Sequence, residues 1–111
     1  MQPDGHRRKA ERIERTMRKL DEGPDYETII EDCYTSAVQY IAVVCDRRRK
    51  RHMDTHKGLT KFLDDNDLPA LAKAFRRLEI LRTGRYYGDQ GDGKAAKEAK
   101  GVLDEIKATL H

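Results

Sequence analysis

The residues best suited to chemistry lie in one short segment, Leu81-Arg82-Thr83-Gly84-Arg85-Tyr86-Tyr87-Gly88-Asp89, which closes an apolar helical stripe with two arginines, two tyrosines and two glycines. Guanidinium forks beside aromatic rings suit phosphates and unstacked bases. Arg82 falls on the same stripe as Leu71, Phe75 and Leu78, so its charge needs a partner: a carboxylate, a carbonyl or a ligand anion. The plain structural alternative pairs Arg82 with an acid of the second helix and packs Tyr86 or Tyr87 over the last helix. A second basic cluster, Arg47-Arg48-Arg49-Lys50-Arg51, supplies five consecutive cations for phosphate contact.

Other constellations fail on chemical grounds. Gly88 to Lys94 formally fits GxxxxGK, but Ala95 follows the lysine, where a phosphate loop needs a hydroxyl for Mg²⁺. Asp89 and Asp92 inside the loop would repel phosphate, and a helical pattern precedes it where a strand is required. His52 and His56 stand at i, i+4, but Arg49, Lys50, Arg51 and Lys57 oppose a bound cation. No Ser-His-Asp or Cys-His arrangement is visible, and the lone serine, Ser36, sits in mid-helix. No metal site and no cofactor are expected.

The elements that must position these residues are helical. Ala10, Ile13, Met17 and Leu20 form one narrow stripe, with Asp4 as an N-cap and Gly23-Pro24 as the stop. After Asp25, a second N-cap, the residues Ile29, Ile30, Cys33, Tyr34, Ala37, Val38, Ile41 and Val44 make the broadest apolar face of the chain. That breadth places the second helix at the centre of a bundle. A short third helix carries Leu59, Phe62 and Leu63. Asp67 caps a fourth, with Pro69 in its first turn. A last helix starts near Gly93 and carries Ala95, Ala99, Val102, Leu103, Ile106 and Leu110. The fold class is therefore all-α: an up-and-down bundle of four long helices plus one short one, in a single domain over 1–111.

Composition bounds the rest. The chain has 111 residues, with 23 basic and 20 acidic side chains and a net charge of +3. Leu, Ile, Val and Phe together number only 21, so the core is thin and association, as a homodimer, is expected. Charge is blocked: residues 22–46 hold six acids and no base, and residues 47–61 hold seven bases and one acid. Such blocks serve self-association or a polyanionic partner. No apolar run approaches a membrane span, and no secretory h-region opens the chain. Cys33 and Cys45, about 18 Å apart along one helix, cannot pair with each other. The expected setting is cytoplasmic.

In order and spacing, several pieces resemble the HEPN superfamily, small helical proteins often encoded beside minimal nucleotidyltransferases. They are His6-Arg-Arg-Lys-Ala10-Glu in the first helix, Tyr34-x-x-Ala37 in the second, and His56-Lys-Gly58-Leu59 with Phe62-Leu63 in the third. Leu78-x-x-Leu81-Arg82-x-x-x-Tyr86-Tyr87-Gly88 followed by Ala95-x-x-Glu98-Ala99 completes the likeness, which runs from about residue 6 to 110. Catalytic members cut RNA without metal, through an Arg-x4–6-His motif at the end of the fourth helix. The arginine holds phosphate and the histidine serves as acid or base. Here Arg82 matches the arginine, but Tyr87 occupies the histidine position. A phenol with a pKa near ~10 is a poor base at neutral pH.

The same expression is met by Arg47-x4-His52 and Arg51-x4-His56, after the second helix instead. The leading expectation is a dimeric HEPN-like binding module, without the usual nuclease chemistry, for a nucleotidyltransferase-type partner or RNA. Arg82, Arg85, Tyr86 and Tyr87, together with Arg47, Arg48, Arg49, Lys50 and Arg51, are its contact residues. The alternatives are a metal-independent, toxin-like ribonuclease using Arg82 with Tyr87, or Arg51 with His56, and a purely structural interaction protein.

Overall fold

In the computed structural model, residues 3–49, 63, 68–84 and 93–110 are described. They form four helices: α1 (Pro3–Met17), α2 (Tyr26–Arg49), α3 (Pro69–Arg82) and α4 (Gly93–Ala108), with no strand among the described residues. None of these helices is long and apolar enough to cross a membrane. Of the expected short helix only Leu63 is described. It is helical and fully buried, and its carbonyl accepts the Leu68 amide at 2.9 Å. Leu59 and Phe62 lie outside the described residues, as does Asp67, the expected cap of α3.

The residues that start and stop the helices depart from expectation in instructive ways. Asp4 is inside α1 instead of capping it, because the helix begins one residue earlier at Pro3, where a missing N–H costs nothing. The α1 helix ends at Met17, before Gly23-Pro24. Asp25 does precede α2, but its carboxylate turns back to accept the Asp21 amide at 2.9 Å rather than one of the orphan amides of α2. Leu68 holds the N-cap position of α3 with no side-chain hydrogen bond, and Pro69 follows at the first helical position. At the far end, Gly84 adopts φ +71°, a left-handed conformation that terminates α3 directly after Arg82 and Thr83.

The broad face read on the second helix is the centre of the molecule. Each of Ile29, Ile30, Cys33, Tyr34, Ala37, Val38, Ile41 and Val44 is buried, and α2 packs against α1, α3 and α4. Each fully buried aliphatic side chain of this kind contributes about 1.5–3 kcal/mol. Pairs between helices give the directions. His6 meets Gln39 and Ala10 meets Ser36, so α1 and α2 are antiparallel. Glu31 meets Arg82 and Tyr34 meets Phe75, so α2 and α3 are antiparallel. Glu14 meets Lys107 and Arg18 meets Asp104, so α1 and α4 are antiparallel as well. The order is up, down, up, down, as the apolar pattern implies.

One stripe reads differently. The buried face of α1 is His6, Ala10, Glu14 and Met17, whereas Ile13 is only partly buried. Burial also decides the state of Cys33, whose thiol is desolvated and pushed up to about 12, an inert group rather than a nucleophile.

Gly101 lies in the interior of α4 with nothing within 4 Å of where a Cβ would stand. Replacing it with alanine fills no occupied space and removes backbone freedom from the unfolded chain. Gly101→Ala is expected to add about 0.5–1 kcal/mol, raising the melting temperature by several degrees in a domain of this size. Thermal unfolding of dilute protein followed by circular dichroism checks this, and a lower melting temperature there would contradict the open space within the chain.

Candidate functional site

Arg82 is the last residue of α3, and its side chain crosses to α2. Its Nε–H donates to Glu31 Oε2 at 2.8 Å, and its guanidinium carbon lies 4.3 Å from the centre of the Tyr34 ring. Tyr34 in turn stacks on Phe75, with ring centroids 5.1 Å apart and planes inclined at 31°. The sequence explains the stack. Tyr34 and Glu31 are one turn apart on α2, and Phe75 and Arg82 are two turns apart on α3, so both pairs fall on facing stripes. The alternative raised from the sequence, an acid of the second helix as partner for Arg82, is the arrangement observed.

The charge of this site is set by position. Arg82 and Glu31 are 46% and 49% exposed, so the pair is screened and contributes at most about 1 kcal/mol. The Glu31 hydrogen bond raises the Arg82 pKa further, keeping it a cation. Tyr34 is buried to 4% exposure, and burial raises its pKa although Arg82 pulls the other way. The phenol stays neutral and offers its ring face to the cation. A guanidinium has five N–H donors, and Glu31 takes the Nε–H. The result is a half-exposed cation on an aromatic platform, able to hold an anion, with the Glu31 carboxylate beside it.

The other sequence-selected residues do not all come into view. Arg47, Arg48 and Arg49 continue the helical backbone of α2, while their side chains lie outside the described residues. Lys50, Arg51, His56, Arg85, Tyr86 and Tyr87 lie wholly outside them. Among the described residues no group of three or more His, Cys, Asp or Glu side chains is placed to hold a metal. Ser36 is fully buried, and its hydroxyl donates to the Ala10 carbonyl at 3.0 Å, a link between α1 and α2 rather than a nucleophile.

A second polar centre was not read from the sequence. Glu14, on the buried face of α1, accepts from Tyr40 Oη at 2.8 Å, Arg18 Nε at 2.7 Å and Lys107 Nζ at 3.0 Å. Arg18 also reaches Asp104 at 2.8 Å, and Lys100 reaches Glu22 at 3.1 Å. Burial alone would raise the Glu14 pKa, but the three donors outweigh it and the net shift is downward. Burial and the Glu14 carboxylate both push Tyr40 upward, so its proton stays on. The cluster opens to solvent through a depression of about 270 Å³ lined by Glu11, Glu14, Arg15, Arg18, Tyr40 and Lys107. Tyr40, Arg18 and Lys107 all donate to Glu14, so the evident work of the cluster is to clamp α1 onto α2 and α4. The signal was present: Glu14 stands four residues after Ala10 and three before Met17, squarely on the stripe.

Searches of protein-family models, curated proteins and solved structures find no match to this chain.

Proposed function

We propose that this chain is a HEPN-like binding module that works as a homodimer and holds RNA without cutting it. A nucleotidyltransferase-type protein is the second partner that the resemblance implies. The observation that carries the reading is Arg82: a cation fixed on Tyr34 at the exposed end of α3, where nuclease members of that superfamily hold phosphate. What argues against cleavage is the sequence five residues on, where Tyr87 takes the place of their histidine. A phenol, ordinarily titrating near ~10, is a poor substitute for that imidazole as acid or base at neutral pH, so the site is proposed to bind without turning over. The basic run at 47–51 would follow the same backbone, and its contacts would be electrostatic and independent of sequence.

The test uses the full chain with labelled, mixed-sequence single-stranded RNA in EDTA at low salt. Fluorescence anisotropy is expected to report binding. Gel analysis is expected to recover the RNA intact, and Arg82→Ala is expected to weaken binding severalfold while helicity is unchanged. RNA that is cut by the wild type and spared by Arg82→Ala would replace this reading with the ribonuclease. An RNA that stays unbound would remove the nucleic-acid role.

A further inference from the structure

The outer faces of α3 and α4 enclose a groove of about 740 Å³ that the Arg82 site does not use. Its apolar part is Ala70, Ala74, Ile80 and Val102, deepened by Gly101. Its two rims differ in sign. The α3 rim carries Lys73, Arg76 and Arg77, and the α4 rim carries Glu98 and Glu105. Arg77 and Glu98 pair across the groove through two hydrogen bonds, one of them from Nη2 to Oε1 at 2.8 Å. Lys73 and Glu105 are exposed.

We infer that this groove is the face through which two copies of the chain associate, with Lys73 of each copy set against Glu105 of the other. The inference rests on the dimeric reading above and gives it a location. The rims decide the occupant. A polyanion would meet Glu98 and Glu105, and a cationic partner would meet Lys73 and Arg76, so either satisfies one rim and is repelled by the other. A second copy satisfies both. When a two-fold axis lies along the groove, rotation carries α3 of one copy over α4 of its partner and α4 over α3, so basic rim meets acidic rim twice. An axis across the groove would instead set α3 against α3, with like charges opposed.

The register also fits. The helices are antiparallel and Arg77 stands level with Glu98. At 1.5 Å per residue, Lys73 lies about 6 Å and Glu105 about 10.5 Å from that level, in the same direction. Rotation about an axis along the groove preserves the level. The two charges are then offset by about 4.5 Å, within the reach of a lysine side chain. Apolar side chains at the floor supply the contact area, and the paired rims set orientation more than strength.

Sedimentation velocity over a concentration series at low salt tests this in the full chain, with circular dichroism to verify helicity. The wild type is expected to dimerise. Lys73→Glu and Glu105→Lys, each acting at two symmetry-related contacts, are expected to raise the dimer dissociation constant at least tenfold. The combined variant, Lys73→Glu with Glu105→Lys, is expected to return it to within severalfold of the wild type. If both single reversals dimerise as the wild type does, the groove is not the interface and the dimer forms elsewhere. If the wild type is a monomer throughout, the groove assignment and the dimeric reading fall together.

Discussion

Glu14→Ala is expected to destabilise the bundle by about 2–3 kcal/mol, because Glu14 is a buried carboxylate with three donors on it. The substitution removes one acceptor and strands three donors: the Tyr40 hydroxyl, the Arg18 guanidinium and the Lys107 ammonium. Removing one member of a buried charged group usually costs about 3–5 kcal/mol. Arg18 and Lys107 are 38% and 37% exposed, so water rescues part of that loss and the figure is reduced. Tyr40 is 1% exposed, and its stranded hydroxyl has no such rescue. Urea unfolding at neutral pH checks the value. A Glu14→Ala variant within about 0.5 kcal/mol of the wild type would show that the clamp carries nothing.

The same residue gives the acid behaviour a sign. The folded pKa of Glu14 lies below its ordinary value of 4.5. Its contribution is therefore fully present above that value and is lost as pH falls through the folded one. Wild-type stability should decline on acidification in that window, and Glu14→Gln should decline less, since an amide takes up no proton.

What the sequence disclosed and what it hid follow one division. The α2 face was legible because its apolar residues recur with helical period over 24 residues with no Gly or Pro. The span of α4 was legible because Gly93 marks its start and alanines and leucine mark its buried side. The face of α1 was misread at Ile13 because hydrophobic type was the only guide. There the winning contacts are polar, His6 to Gln39 at 2.6 Å and Glu14 to Tyr40, and a polar residue announces its partner only once the facing helix is placed. Arg82 is intermediate: its place on the stripe foretold a partner from the second helix, and only the fold chose Glu31 and added the Tyr34 ring beneath it. Opposite signs on the two rims of the α3–α4 groove were equally invisible in chain order, because Lys73 and Glu105 are 32 positions apart and share a surface only after antiparallel packing.

RNA affinity is expected to fall about 100-fold as monovalent salt rises from ~50 to ~200 mM, if Arg47, Arg48, Arg49, Lys50 and Arg51 each neutralise one phosphate. Five contacts to a single strand release about 3.5 counterions, and a fourfold change in salt raised to that power gives the factor. Anisotropy titrations at four or more salt concentrations yield the slope. Each Arg→Gln substitution in the run should lower it by about 0.7, and a slope below about 1 would show that this run does not touch phosphate. The same assay separates two roles for Arg82. Its guanidinium shares its charge with Glu31 at 2.8 Å, so a phosphate arriving there competes with a carboxylate. Glu31→Gln removes that competitor and leaves the Tyr34 platform in place. If Arg82 receives phosphate, Glu31→Gln tightens RNA binding severalfold. If Arg82 is only a strut between α2 and α3, the substitution leaves RNA affinity unchanged, and the basic run alone accounts for the binding.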